Sequence, residues 1–510
     1  MSSARSYADA VDHLNSLQSN AATLDAVRAS GGRLSEFAIP EMLEYLGRIG
    51  YTPDDLNALN VIHVTGTKGK GSTCAFTDSI LRHVKPEWKV GLYTSPHLVA
   101  VRERIRINGA PISEDDFARF FFEVWDRLDK NEVRAHPSTP AKPAYFRFVT
   151  LVAFHAFLSL KVDATILEVG VGGAYDSTNI VPRPVVAGVS ALGIDHVGVL
   201  GKTIPEIAWQ KAGIYKARAS YTSSPGVPAL TVEQPEEGMK VLEQRAAELK
   251  ASSFEVVHPI PALSTIRLGL SGAHQYQNAA LAVRLAQKFL FLQAGIPPAP
   301  ADELPETYVA ALAAARWPGR CQTVQDPAHA GTTWFLDGAH TLESLDCCMR
   351  WFVSPEAALR TPPAERPRRV LIFNCTAGRT GASFLGAMLE GIESLLKTHG
   401  REGESKETFF DQVVFCTNVT YASGSYKGDL TSKNVHEHDL AALKTQNELA
   451  DAWRSLVPSF PAERLHVLPS VEHAVNVVRQ EVSPVDVLVA GSLHLVGGVI
   501  EVAGLKDVAL

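Results

Sequence analysis

The chain is poor in cysteine, in net basic charge and in long apolar runs, and each shortage excludes something. Six cysteines in 510 residues (Cys74, Cys321, Cys347, Cys348, Cys375 and Cys416) are too few for a disulfide scaffold. None stands in a C-x-x-C pair, so spacing gives a structural zinc site no support. A reducing compartment is the default expectation. Lys plus Arg is 48 against 55 for Asp plus Glu, a net charge of −7. That lacks the broad basic face of a general nucleic-acid binder, though a local basic pocket for an anion stays compatible with it. No apolar stretch reaches the roughly 18 residues a bilayer helix needs, so no integral membrane span is expected. The first twenty residues lack a signal-peptide core, and their single Arg makes a poor mitochondrial transit peptide. Tyr7, Val11, Leu14 and Leu17 fall instead at helical spacing and predict an amphipathic helix. A longer, processed precursor is left open. Internal repeats and long low-complexity tracts are also missing.

What is present is the composition of a globular enzyme, 46% hydrophobic and 20% charged. That composition excludes a disordered chain. The length suggests about two to four domains. Apolar strand candidates at 60–64, 90–93, 164–169 and 185–190 alternate with helical patterns such as 72–83 and 146–160. Continuous apolar strands between helices predict a largely parallel sheet covered on both faces. The proline-rich stretch 294–306 suits a linker. Beyond it the alternation restarts, with strand candidates at 334–336, 369–373, 412–416 and 485–489. The expectation is two α/β domains, 1–298 and 299–510. The polar stretch 396–408 reads as a surface insertion and 136–143, with its prolines, as a loop.

The most informative segment is Thr65-Gly66-Thr67-Lys68-Gly69-Lys70-Gly71-Ser72-Thr73, between a strand and a helix. Glycines let backbone N–H groups turn inward on phosphate oxygens, the helix N-terminus adds partial positive charge, and Lys70 can reach the β- and γ-phosphates. The usual pattern is G-x-x-x-x-G-K-[ST]; here Gly71 follows Lys70 and Ser72 comes one step later. Cys74, just inside that helix, reads as a buried structural thiol. Phosphates bring Mg2+, whose oxygen ligands should lie at strand C-termini near the loop. Glu168 ends one apolar run, Asp195 and His196 follow another, and Ser95 follows a third. On residues alone His196 is as easily structural as a ligand, because hard cations prefer oxygen. Lys211 reads as a helix-surface lysine, and Arg102 and Arg104 as paired surface arginines at least as readily as a polyglutamate contact.

VTGTKGKGSTCAFT, TSPHLVAVRERIRINGAPIS, ILEVGVGGAYDSTNIV, GIDHVGVLGKTIPEIAWQKAGIYK, GAHQYQNAAL, RWPGRCQ and LDGAHTLES, in that order, resemble the folylpolyglutamate synthases of eukaryotic type. Wider relatives are the Mur ligases and bacterial dihydrofolate synthase. The resemblance implies a P-loop ATPase-like parallel-sheet N-terminal domain and a smaller Rossmann-like C-terminal α/β domain. It implies an ATP-dependent ligase that adds L-glutamate to tetrahydrofolate or its polyglutamates through an acyl phosphate.

By resemblance Gly66, Thr67, Gly69, Lys70, Gly71 and Ser72 bind ATP phosphates. Asn278 meets adenine, and Arg320, Asp337 and His340 meet the nucleotide, which sits between two domains. Ser95, Glu168 and His196 are the implied Mg2+ ligands, joined by Lys211 if carbamylated. Lys70, His196 and Lys211 are the implied catalytic set. Pro96, His97, Arg104 and Ser492, with His494 beside it, are implied in folate or glutamate binding. ATP and Mg2+ are the implied cofactors, with K+ a further candidate. A cytoplasmic monomer is expected, a mitochondrial form being left open. On residues alone Arg320 could be a salt bridge between domains, Asp337 a helix N-cap, and Ser492 part of a Gly-rich turn.

Two departures stand out. Thr341 follows DGAH where bacterial relatives have Asn, and 376–381 reads TAGRTG where the family is commonly acidic. Dihydrofolate synthase is the nearest alternative. A P-loop regulatory NTPase and a degenerate ligase kept as an interaction module are remoter ones.

Overall fold

The computed structural model describes residues 5–19, 37–135, 139–216, 226–300, 303–375, 381–431, 437–481 and 484–510. The chain forms two compact units, each built on a mostly parallel sheet. One unit takes 1–97, 102–269 and 275–316; the other takes 98–101, 270–274 and 317–510. The division falls at 316/317, beyond the 298/299 expected from the proline-rich stretch. Helix Glu306–Ala314 packs on helix Lys70–Val84 of the first unit, where Ser79 Oγ donates to Ala311 O at 2.7 Å.

The strands of the first unit are β1 (Val61–Thr65), β2 (Val90–Tyr93), β3 (Ile105–Ile107), β4 (Ala110–Pro111), β5 (Ala164–Glu168), β6 (Val186–Val189), β7 (Pro228–Val232) and β8 (Ser253–Val257). Their order is β4-β3-β2-β5-β1-β6-β7-β8, parallel from β2 to β8 and antiparallel at the β3–β4 edge. Every residue of β1, β5 and β6 is buried. Their apolar runs read as central strands because both faces of a parallel sheet are covered by helices. Helix Tyr7–Ser16 is amphipathic as predicted, burying Val11 and Leu14. Tyr7 meets Phe117 edge-on at 5.4 Å, on helix Glu114–Lys130.

The second unit has β9 (Gln322–Gln325), β10 (Thr332–Leu336), β11 (Arg368–Phe373), β12 (Gln412–Cys416), β13 (Leu465–Leu468) and β14 (Val485–Ala490), in the order β13-β12-β11-β14-β10-β9. Only the edge strand β9 is antiparallel. Periodicity missed the β3–β4 hairpin, β8, β9 with its sequence QTVQ and half-buried β13, which are short or polar and lie toward sheet edges, and also β7, a fully buried strand whose run PALTV opens on a proline.

The stretch 396–408 is more than a surface insertion. Phe409 and Phe410, which follow it, are buried, and Glu404 reaches back to Arg369 of β11 (Oε2 to Nη1, 2.6 Å). Arg369 is fully buried, donates also to Ala358 O at 2.9 Å, and lies 4.2 Å over the Phe409 ring. Beside it Arg360 grips the fully buried Asp486 of β14 with two bonds, 2.7 and 2.6 Å. Segment 136–138 of the expected loop and residues 376–380 of the TAGRTG departure lie outside the described residues.

Removing one partner of a buried pair leaves the other charge unmet, at a cost of about 3–5 kcal/mol. Glu404→Ala is therefore expected to lower the denaturant midpoint for unfolding of the second unit. An unchanged midpoint would show the contact to be incidental.

Candidate active site

β1 ends at Thr65 and the chain turns sharply around two glycines. Gly66 has φ +150°, and a Cβ there would sit 1.9 Å from Ser190 Oγ. Gly69, at φ +82°, caps helix Lys70–Val84, and a Cβ there would lie 2.0 Å from Asn278 Oδ1. Neither position accepts a side chain without displacing its neighbour. Thr67 N and Lys68 N both donate to Ala191 O, at 2.9 and 3.0 Å. The first intrahelical bond is Thr73 N to Gly69 O, 2.8 Å. The amides of Lys70, Gly71 and Ser72 precede it, so they open from the helix end. No acidic residue stands in that first turn, and the positive end of the helix dipole is uncompensated by a carboxylate there.

Two lysines converge on one carbonyl. Lys70 Nζ donates to Gly66 O at 3.1 Å, and Lys211 Nζ donates to the same oxygen at 2.7 Å. Lys211 belongs to helix Ile204–Ala212 and is only 3% exposed. The surface-lysine reading of this residue is thus overturned: tertiary packing turns it inward under the phosphate loop. Burial, reinforced by the charge of Lys70, pushes its amine well below the ordinary lysine range. Cys74 is fully buried, and burial and the nearby Glu168 carboxylate push its thiol up, in keeping with the structural reading.

β2, β5 and β1 are neighbours, so their C-terminal ends share one edge. Glu168 ends β5 at 3% exposure and accepts a bond from Ser95 N at 2.9 Å. Ser95 comes just after β2, ahead of the exposed Pro96. Past β6, Asp195 reaches back to Lys68, Oδ2 to Nζ at 3.1 Å, while its Oδ1 accepts from His196 N at 2.9 Å. Burial alone would raise the Asp195 carboxyl, but the Lys68 and His196 charges outweigh it and hold it below the carboxylate range. His196 is exposed, with φ +51°, at the start of the short helix Val197–Leu200.

The fold therefore brings Ser95 to Glu168 and Lys68 to Asp195. Among the described residues no three His, Cys, Asp or Glu side chains gather to cage a metal. One carboxylate and one hydroxyl beside a phosphate loop do suit Mg2+, which keeps several waters and shares phosphate oxygens.

Other predicted residues take definite places. Asn278, 4% exposed in helix Gln275–Ala294, donates to Gln275 Oε1 at 2.9 Å and lies against Gly69. His97 and Arg104 are 4% and 8% exposed, with Arg104 Nε donating to His97 Nδ1 at 3.0 Å. Arg104 also lies 5.5 Å over the Tyr145 ring. It is thus no surface arginine, whereas Arg102 donates to Ile112 O at 3.0 Å.

In the second unit Asp337 is buried, accepting from Cys321 N at 2.6 Å and Ala339 N at 2.7 Å. It does not cap a helix. Thr341 caps helix Leu342–Phe352, and Asp337 instead braces the turn that presents His340. His340 Nδ1 bonds Gly338 O at 2.7 Å, and Arg320 Nη1 donates to Gly319 O at 3.0 Å. Ser492 caps helix Leu493–Val502, as its Gly-rich turn suggests. Lys68 and Ser190 were missed as site residues. Lys68 carried a signal, its place inside the Gly-rich loop, whereas Ser190 is recognisable only from the folded contact.

No protein-family model matches the chain. In fold it is similar to Mycobacterium tuberculosis folylpolyglutamate synthase complexed with ADP, with a TM-score of 0.68 at 22% identity over 94% of this chain and 98% of that one. It is also similar to Escherichia coli FolC in complex with DHPP and ADP, with a TM-score of 0.61 at 22% identity over 96% and 99%. These likenesses establish a two-domain fold of the Mur-ligase type. In sequence it is 42% identical, over 515 aligned positions, to folylpolyglutamate synthase of Saccharomyces cerevisiae, covering 99% of this chain and 88% of the yeast protein. At that identity and coverage, the chain belongs to the folylpolyglutamate synthase family.

Proposed function

We propose that this protein is an ATP-dependent ligase that joins L-glutamate to tetrahydrofolate and its polyglutamates. The observation that carries the reading is the glycine-built phosphate loop, with Lys70 and Lys211 sharing Gly66 O, in a chain of this family.

The chemistry sets the demands. An oxygen of the folate γ-carboxylate attacks the γ-phosphorus of ATP, the bond to the β-phosphate oxygen breaks, and ADP leaves. The amine of glutamate then attacks the acyl phosphate, loses a proton, and phosphate departs. The first step brings one anion onto another, so the site must supply positive charge and fixed dipoles. The amides of Lys70, Gly71 and Ser72 are aimed out of the helix end for this purpose. Lys70 rests on its own loop carbonyl, so moving to a phosphate oxygen exchanges one acceptor for another. Gly66, Thr67 and Gly69 are assigned to the phosphates as well.

Ser95 and Glu168, with His196, are assigned to Mg2+, which when bound supplies charge at the phosphoryl oxygens. Glu168 keeps its carboxylate fixed by accepting from Ser95 N. K+ is assigned no residue. Asn278 is assigned to the adenine. In the second unit Arg320, Asp337 and His340 are assigned to the nucleotide and Ser492 to glutamate. Pro96, His97 and Arg104 are assigned to the folate.

Lys211 is proposed to carry a carbamate. Burial lowers the pKa of this amine and so favours the unprotonated form, which can attack CO2, forming an N–C bond and losing one proton; the product is an anion able to hold a second Mg2+.

The substrate reading is tested with tetrahydrofolate monoglutamate and dihydropteroate in parallel, each with ATP and labelled glutamate. Label is expected in the tetrahydrofolate product; incorporation from dihydropteroate alone would make the protein a dihydrofolate synthase. Lys70→Ala is expected to slow ligation by at least roughly a hundredfold while circular dichroism stays native. Near-normal turnover in that variant would remove Lys70 from the phosphate site. Equilibrated with 13C-bicarbonate at neutral pH, the protein is expected to show one carbamate carbon by NMR that Lys211→Met lacks. A spectrum without that signal, or one that survives the substitution, would refute the assignment.

A further inference from the structure

Lys68 lies inside the phosphate loop, yet the reaction as described leaves it without a role. The contacts between 65–68 and 190–196 form a lace. Ser190 N donates to Thr65 O at 2.8 Å and Ser190 Oγ to Lys68 O at 2.6 Å. Thr67 N and Lys68 N share Ala191 O, and Thr67 Oγ1 donates to Gly193 O at 3.0 Å. Each of these rungs ends on a main-chain carbonyl, and together they fix the second segment at Ser190, Ala191 and Gly193. The last rung is different: Lys68 Nζ to Asp195 Oδ2, 3.1 Å, side chain to side chain. Both groups are largely shielded, the Asp195 side chain being 9% exposed and that of Lys68 25%.

What the last rung controls is the next residue. The other oxygen of Asp195 accepts from His196 N at 2.9 Å. That amide belongs to a residue in the left-handed region, φ +51°, a conformation with a small intrinsic cost for a side chain such as histidine. His196 O in turn accepts from Val199 N and Leu200 N, at 2.8 and 2.9 Å, starting the short helix beyond. One carboxylate therefore joins the phosphate loop on one side to the backbone of His196 on the other. The flanking side chains give little anchorage, since Ile194 and Val197 are 40% and 47% exposed.

We infer that Lys68 is a positioning residue, which holds Asp195 and through it sets His196 against the phosphate loop, so that Mg2+ binding and nucleotide binding reinforce one another. The inference rests on the ligase reading and on the assignment of His196 to Mg2+. It makes Lys68 distinct from Lys70. Lys70 bonds the loop's own backbone and is free to turn to a phosphate, whereas Lys68 is engaged by a carboxylate from another segment. Loss of Lys68 leaves the loop amides and Lys70 intact, so nucleotide binding without metal should persist. What should fall is the gain in affinity that the metal confers.

The test measures binding of a non-hydrolysable ATP analogue by calorimetry, once in Mg2+ and once in EDTA, on the full chain. For the wild type the affinity ratio is expected to be well above one. Lys68→Met and Asp195→Asn should each cut that ratio by roughly tenfold with little change in EDTA, and the double variant should lose no more than either single one. Lys68→Arg, which keeps the charge, should retain most of the ratio. Wild-type ratios in both single variants, or losses that simply add in the double variant, would overturn the inference while leaving the ligase reading standing. A wild-type protein that binds no nucleotide would overturn both.

Discussion

The phosphate loop is held from outside, and the rest of the first unit's chemistry depends on that contact. Its turn closes only because Gly66 and Gly69 allow Ser190 and Asn278 to approach where a Cβ would stand. Once the loop lies there, its Gly66 carbonyl faces inward and two lysine nitrogens settle on it. That single oxygen compensates part of the positive charge before any substrate arrives, which lets a buried lysine persist beside a second one. Burial has a chemical consequence for Lys211. Burial of that amine to 3% exposure, next to another cation, holds it well below the range of an exposed lysine.

The net charge of −7 is no obstacle to anionic substrates. The loop gathers Lys68, Lys70 and Lys211 at one helix end, and the carboxylates near them have separate duties. Asp195 compensates Lys68, and Glu168 is fixed by the Ser95 amide at the adjoining strand end. Charge in this site is arranged over a few ångströms, a scale on which the sum over the whole chain carries little information. The second unit uses the same principle for stability. Arg369, Arg360, Glu404 and Asp486 bring buried ion pairs into the packing around its central strands, so the polar stretch 396–408 belongs to the core at one point.

Much of this was legible in the residues. The apolar runs at β1, β5 and β6 announced buried central strands, and the glycine spacing between β1 and the following helix announced the tight turn that joins them. Ser95 and Glu168 were recognisable because a polar residue at or just beyond the end of a buried strand lies at the sheet's C-terminal edge, whereas Asp195 comes six residues past the end of β6. Less regular features were opaque. β8, β9 and β13 are edge or near-edge strands with weak alternation, and Lys211 sits on a short helix whose surrounding residues look like a surface pattern. Asp337 looked like a helix cap and is instead the brace of the turn that presents His340.

The parallel sheets, the glycine turn after β1 and the family resemblance could be read from the residues because each is written in local order: runs, spacings and ordered motifs. Which charges meet depends on the folded arrangement. Lys68 and Asp195 are 127 positions apart and Lys211 and Gly66 are 145 apart, with no periodicity linking them. Their pairing follows from the order of strands β5-β1-β6, which sets the ends of distant segments side by side, and from the helices that pack Lys211 under the loop. Burial and partner, the two quantities that govern a lysine's charge, are properties of that arrangement and not of the residue.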